Sequence, residues 1–119
     1  MLNWPPSVRV FVSVLPTDMR RSFDSLAALV REVIGQDPLS GHAFVFFNRL
    51  RDRAKILVWD RTGYWLFYTR LEAGVFRLPN AASKTLELTP AELSLILEGI
   101  DLTGASRQKR YSLAAGRCG

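Results

Sequence analysis

The four residues Asp60-Arg61-Thr62-Gly63 lie between two apolar, aromatic runs, and they constrain the fold more than any other feature of the chain. Asp is favoured at the first position of a type I turn, and Gly accepts a positive φ after it. The spacing therefore predicts a β-hairpin with strands at residues 55–59 and 64–71. It lies within residues 43–79, which hold nine of the 13 aromatic and seven of the 16 basic residues.

Periodic patterns predict the remaining elements. Alternation and turn signals predict further strands at residues 8–14, 43–48, 75–78 and 84–88. Apolar residues at three- and four-residue spacing predict an amphipathic helix that begins at Ser22 and ends at Gly35. A second helix is predicted after Thr89, because Pro90 at the first helical position and Glu92 three residues after Thr89 form a capping-box signature.

These elements predict a single α+β domain over residues 1–104. We expect a mainly antiparallel sheet of about five strands with the two amphipathic helices packed on one face. A chain of 119 residues is long enough to bury its own core without a disulfide or metal. Residues 105–119 are predicted to form a basic, mobile C-terminal tail.

The charge of the chain is concentrated in two blocks. The formal net charge is +5. Residues 49–77 hold seven basic and three acidic side chains, and residues 101–119 hold four basic and one acidic. Such blocks attract polyanions, nucleic acid first among them, although anionic proteins would also be attracted.

Cys118 is the single cysteine, which predicts a reducing, cytoplasmic compartment. No run approaches the roughly 20 apolar residues that span a bilayer, so no membrane partner is predicted.

The predicted hairpin has two different faces if Trp59 and Tyr64 flank the turn on the same side. One face then carries Lys55, Leu57, Trp59, Tyr64, Leu66, Tyr68 and Arg70, and the other carries Ile56, Val58, Trp65 and Phe67 as core. The first face mixes basic and aromatic side chains, as in surfaces that stack bases or contact phosphates. Two alternatives remain: a bulge at Gly63 would shift the pairing, and half-buried strands with snorkelling basic side chains have the same composition.

The candidate nucleic-acid-binding residues combine this face with the neighbouring loops. They are Arg49, Arg51, Arg53, Lys55, Trp59, Arg61, Tyr64, Tyr68, Arg70 and Arg77. Most of the basic members fall in loops and at strand ends, where phosphate contacts form without disturbing the core.

Few residues suggest catalysis. His42 is the single histidine, and Cys118 lies in the predicted tail, so no zinc site is indicated. Motifs for a serine nucleophile or a phosphate-binding loop are absent. Asp18, Asp60 and Glu72 follow or end predicted strands and would form a metal-dependent nuclease site only if those ends converge. We therefore predict neither a cofactor nor a metal, and we predict no enzymatic activity.

A series of short motifs occurs in order between residues 10 and 102. They include Thr17-Asp18-Met19-Arg20, Asp37-Pro38, Phe44-Val45-Phe46 with Asn48-Arg49, Lys55-Ile56-Leu57 with Trp59-Asp60, Arg70-Leu71-Glu72 with Gly74 and Phe76, and Leu97-Glu98-Gly99-Ile100. Together they resemble the small TnpB accessory proteins of the IS-sixty-six group of bacterial insertion sequences, which are unrelated to the RNA-guided nuclease of the same name.

The resemblance implies participation in DNA transposition beside a separately encoded transposase that holds the catalytic carboxylates. It also implies a bacterial cytoplasmic location, associated with the nucleoid during action. We expect a non-catalytic accessory factor that binds DNA, the transposase or both through the basic hairpin region. The alternative is a pure protein adaptor or oligomerisation module, whose aromatic face is buried against the transposase or a second copy.

Overall fold

Five strands form one sheet in the computed structural model, which describes residues 4–100. The strands are β1 (Val10–Ser13), β2 (Ala43–Phe47), β3 (Arg53–Asp60), β4 (Gly63–Arg70) and β5 (Thr85–Leu88). Their order across the sheet is β4-β3-β2-β1-β5. β1 and β2 are parallel, and the other neighbouring pairs are antiparallel. The predicted α+β class and mainly antiparallel sheet are confirmed. The predicted tail, residues 105–119, lies outside the described residues.

The central hairpin has the predicted pairing. Trp59 lies opposite Tyr64 and Asp60 opposite Gly63, so no bulge shifts the register, and the predicted division of residues between the two faces is confirmed. The positive φ falls on Arg61, at 38°, and not on Gly63, for which it was predicted. A two-residue hairpin loop places a left-handed residue at its first position, because this matches the twist of the flanking strands.

The helical elements are α1 (Phe23–Leu29), its π-helical continuation (Val30–Ile34) and α2 (Pro90–Leu97). Ser22 is the predicted N-cap of α1, and Gly35, with φ 77°, ends the π-helical segment. At α2, Thr89 Oγ1 accepts from the Glu92 N–H at 3.1 Å, while the Glu92 carboxylate accepts from the Thr89 N–H at 2.8 Å. The predicted capping box is confirmed. Neither described helix is long and apolar enough to cross a bilayer.

The two helices pack on opposite faces of the sheet. The α1 side contains Leu26, Ala27 and Val30 together with Phe11, Phe44, Phe46 and Leu57. The α2 side contains Leu93 and Ile96 together with Val10, Val12, Val45 and Ile56. The predicted placement of both helices on one face is therefore wrong. Every residue of β1 and β2 is buried, so both faces of these strands need cover, and one helix lies on each.

The segment between β4 and β5 is not the short strand that was predicted at residues 75–78. Phe76 and Leu78 are buried in the α2-side core, and the Phe76 ring centroid lies 5.5 Å from that of Phe47. The Phe76 N–H donates to the Arg51 carbonyl oxygen at 2.7 Å. Buried Phe76 and Leu78 alternate with exposed Arg77, which is the burial pattern of a strand. The segment nevertheless lies across one face of the sheet and is not one of its five strands.

β4 is an edge strand, and this changes the expected exposure of its side chains. Trp65 and Phe67 were predicted as core, yet they are 59% and 38% exposed. Their neighbours across the ladder, Val58 and Ile56, are half-buried and buried. Burial on the α2 side of the sheet therefore decreases from β3 to β4. The ring of Phe67 packs edge-on against Trp4 at a centroid distance of 6.2 Å.

Candidate nucleic-acid interface

The loop between β2 and β3 is held in a fixed shape and carries two of the predicted arginines. Asn48 Oδ1 accepts from the backbone N–H groups of Asp52 at 3.1 Å and Arg53 at 3.0 Å. Asn48 Nδ2 donates to the Asp52 carboxylate at 2.6 Å. Arg51 adopts a left-handed φ of 56°, and Arg49 is exposed. The Asp52 carboxylate therefore takes part in hydrogen bonds within the loop.

Arg53 and Arg70 lie directly opposite each other on β3 and β4. The Tyr68 hydroxyl accepts from Arg53 at 3.3 Å, and this hydrogen bond raises the pKa of Arg53 above its ordinary value. Glu72 forms an exposed ion pair with Arg70 at 3.0 Å. The Lys55 ammonium group lies 4.8 Å from the centroid of the Tyr68 ring. Four of the predicted residues therefore share one face at one end of the hairpin.

Arg20 and Arg21 join this end, although the sequence indicated only a linker there. Lys55 Nζ donates to the Arg21 carbonyl oxygen at 2.7 Å, so the segment before α1 lies against β3. Arg20 pairs with Asp18 at 2.7 Å. Hydrogen bonds from the Arg20 side chain and then its backbone N–H lower the pKa of Asp18 from 3.8 to about 2.

Parallel pairing of β1 and β2 is the reason that this segment was missed. The pairing brings the C-terminal ends of both strands to one edge of the sheet, and the Thr17 N–H donates to the Phe47 carbonyl oxygen at 2.8 Å. The chain that leaves β1 is thereby placed beside the loop that leaves β2. The sequence signal for this arrangement was the predicted helix between the first two strands, because a helical crossover commonly joins parallel strands.

We call residues 17–21, 48–55 and 68–72 together the basic end. They contain seven basic and three acidic side chains, a formal net charge of +4. The acids are already engaged: Asp18 with Arg20, Asp52 with Asn48 and Glu72 with Arg70. Within residues 4–100, no carboxylate is paired with Arg21, Arg49, Arg51 or Arg53.

An open pocket of about 550 Å³ separates two of these segments. Residues 16–19 form one wall and residues 48–50, 52 and 53 supply the other, with Arg49 and Arg53 among the lining side chains. Asp18 and Asp52 also line it, each engaged as described above. Of the seven basic side chains of the basic end, Arg49 and Arg53 line this depression.

The structure separates the ten predicted residues into two groups. Arg49, Arg51, Arg53, Lys55, Tyr68 and Arg70 lie at the basic end, whereas Trp59, Arg61, Tyr64 and Arg77 do not. Six residues of strand, roughly 20 Å, separate Arg53 from Trp59. Trp59 and Tyr64 pack edge-on beside the turn, with ring centroids 5.1 Å apart. Arg77 lies between buried Phe76 and Leu78 on the opposite side of the sheet.

Lys55 differs from the other members of the basic end because it is buried, with 8% exposure. Its ammonium group is held by the Arg21 carbonyl oxygen and the Tyr68 ring. Lys55 thus fixes the positions of its neighbours and offers little of its own charge to solvent.

The three carboxylates of the nuclease alternative do not meet. Asp60 ends β3 at the turn, whereas Glu72 follows β4 at the other end of the hairpin. Asp18 is held by Arg20. Among the described residues, no group of three or more His, Cys, Asp or Glu side chains is placed to hold a metal ion.

Comparisons with known proteins match most of the chain. Residues 8–107 match the family described as IS66 Orf2 like protein. Uncharacterized protein y4hO of Sinorhizobium fredii is 42% identical over 101 residues, which are 85% of this chain and 88% of that protein. Uncharacterized protein y4jC of the same organism is 36% identical over 108 residues, 91% of this chain and 92% of that protein. No solved structure gives a significant match. The resemblance drawn from the short motifs is confirmed, and the chain belongs to the IS66 Orf2-like family of transposition-associated accessory proteins.

Proposed function

We propose that the protein is a non-catalytic accessory factor of transposition that binds the DNA backbone through its basic end. The observation that carries the proposal is the juxtaposition of Arg53 and Arg70, directly opposite each other on one face. Arg21, Arg49 and Arg51 add charge from two other segments of the chain, and none of them is paired with a carboxylate among residues 4–100.

Two like charges directly opposite each other in a ladder destabilise a sheet. Here the cost is lowered by Tyr68 beside Arg53 and by Glu72 beside Arg70, but both of those contacts are exposed. An anion placed between the two guanidinium groups would further reduce the repulsion between Arg53 and Arg70. Phosphate is a suitable anion, because a guanidinium group binds it through paired hydrogen bonds. The arrangement therefore favours a partner that presents several phosphates.

The geometry favours contacts with the backbone of a duplex over the stacking of bases. Trp59 and Tyr64 lie about 20 Å from the arginine pair, and their rings pack against each other. One face of the Tyr68 ring is occupied by the Lys55 ammonium group. Arginines in loops and at strand ends position a protein on phosphates without selecting a sequence. We thus expect binding to duplex DNA of mixed sequence.

The proposal assigns catalysis to the separately encoded transposase that the family relationship implies. Asp60 lies at the turn, at the other end of the hairpin from Glu72, and Asp18 and Glu72 are each paired with an arginine. An accessory factor needs only to hold DNA, the transposase or both in place. Nothing in this role requires chemistry from the chain itself.

The test measures the dependence of DNA affinity on salt. The triple variant Arg21→Gln, Arg49→Gln, Arg53→Gln removes three exposed or half-exposed charges from the basic end. Each lost phosphate contact lowers the slope of log K against log [salt] by about 0.9, so the slope should fall by about 2.7. The control Arg9→Gln, Arg31→Gln, Arg61→Gln removes the same charge from exposed positions at the other end of the strands and should leave most of the slope intact.

A binding constant that does not depend on salt, or equal losses in both triple variants, would contradict the DNA proposal. In that case the adaptor alternative predicts that the transposase of the same element is still captured by the basic-end variant. Capture that is lost only in the basic-end variant would instead show that the same surface contacts the protein partner.

A further inference from the structure

Among residues 4–100 no strand pairs with the outer edge of β4, and this edge is long and largely apolar. From Gly63 to Thr69 it contains no charged residue and no proline. Trp65 and Tyr68 are 59% and 51% exposed, and Phe67 is 38% exposed. Natural proteins block such edges with charges, prolines, bulges or covering segments, because unpaired backbone groups recruit another strand.

The opposite edge of the same sheet, formed by β5, has features that protect a sheet edge. β5 is four residues long and carries Glu87 at its centre, and Glu87 is paired with Arg9 at 2.8 Å. A short strand that carries an ion pair is a poor template for another strand. The β4 edge has seven uncharged residues before Arg70, and four of their side chains are aromatic.

The ladder fixes which backbone groups of β4 face outward. A two-residue loop makes Asp60 and Gly63 a hydrogen-bonded pair, after which bonded and non-bonded pairs alternate along the hairpin. The N–H and C=O groups of Tyr64, Leu66 and Tyr68 therefore point away from β3. A second strand can bind all of them at once.

An identical strand fits this edge in one favourable register. A two-fold axis normal to the sheet generates an antiparallel pair and keeps side chains of one face together. Centred on Leu66, it places Trp65 opposite Phe67 of the second copy, and Tyr64 opposite Tyr68. Cross-strand aromatic pairs are among the more stabilising pairs in antiparallel sheets. The outward backbone groups of both copies then face each other.

From this self-complementarity we infer that the protein forms a symmetric homodimer through antiparallel pairing of β4 with β4 of a second copy. The three exposed rings, at roughly 200 Å² each, expose about 300 Å² per copy in total, so the side chains bury at most that area, to which the main chain adds. This is at the small end of specific interfaces, so the dimer is expected to dissociate on dilution. The symmetry axis also places both basic ends on the same face of the continuous sheet.

Sedimentation equilibrium of the full chain tests the inference directly and does not involve DNA. Across concentrations from about 1 to 100 µM, the apparent mass should rise from the 13.4 kDa of one chain toward twice that value. Trp65→Lys introduces a charge at two symmetry-related positions and should raise the dimer Kd by about 100-fold. Leu39→Lys also replaces an exposed apolar side chain by a charged one, at a 51% exposed position outside the sheet, and should leave the dimer Kd unchanged.

A disulfide tests the register. In a Cys118→Ser background, Leu66→Cys places the two thiols of a dimer opposite each other and should form an oxidised dimer. Thr85→Cys on the β5 edge should not. A chain that remains monomeric throughout the concentration range, or a dimer that is unaffected by Trp65→Lys, would overturn the inference whatever the outcome of the DNA experiment.

Discussion

Replacing Phe76 with Ala should remove a large part of the stability of the domain. Phe76 is 1% exposed and packs against Phe47, although it lies in a connection between β4 and β5. Its backbone N–H still donates to the Arg51 carbonyl oxygen after the substitution, so the variant isolates the contribution of the ring. We choose it because the sequence indicated a strand there, whereas the structure shows a packed covering segment.

Truncating a fully buried Phe to Ala typically costs about 3–5 kcal/mol, from lost transfer free energy and from the cavity that remains. A domain of this size has a free energy of unfolding of roughly 5–15 kcal/mol, so the loss is easily measured. Val75→Ala is the matched control, because Val75 is adjacent and 40% exposed. Its cost should stay within about 0.5 kcal/mol.

Urea denaturation followed by circular dichroism measures both variants, with the midpoint and the slope compared to the original chain. We expect a much lower midpoint for Phe76→Ala at a nearly unchanged slope. If Phe76→Ala and Val75→Ala cost similar amounts, below about 1 kcal/mol, the ring is not packed as described and the assignment of this segment to the core is wrong.

Two further outcomes follow from local geometry. Arg61→Gly should raise the free energy of unfolding by about 0.5–1 kcal/mol, because glycine relieves the left-handed strain at φ 38° by more than it adds chain entropy, whereas Thr62→Gly should lower it. Asp18 has a lowered pKa in the folded chain, so its contribution to stability is complete above its ordinary value of 3.8 and is lost as the pH falls toward about 2. Urea midpoints of the original chain and Asp18→Asn should therefore converge across this window, and a constant difference down to pH 2 would contradict the pairing with Arg20.

Several features of the fold follow from sequence alone because they depend on residues close together in the chain. The hairpin register follows from a two-residue loop between apolar runs. The start of α2 follows from Thr89, Pro90 and Glu92, since a capping box satisfies backbone donors within a single turn. The family relationship also follows, because its motifs are short segments in a fixed order.

Part of the candidate site also follows from sequence. Arg49 and Arg51 lie in one short loop, Arg53 begins β3 directly after it, and Arg70 is brought opposite Arg53 by the predicted hairpin. Arg77 is only seven residues after Arg70 in the chain, but it lies on the other side of the sheet, because Phe76 and Leu78 pack into the core on that side. Sequence proximity fails there, since the chain bends away after β4.

Tertiary structure alone decided which distant segments meet. Parallel pairing of β1 and β2 brought Arg20 and Arg21 to the basic end, and burial of both faces of these strands placed α1 and α2 on opposite sides. The position of β4 at the edge exposed Trp65 and Phe67, which a central strand would bury. Strand order and crossovers are set by the packing of the whole core, whereas periodicity and capping act within a few residues, so only the latter are encoded locally.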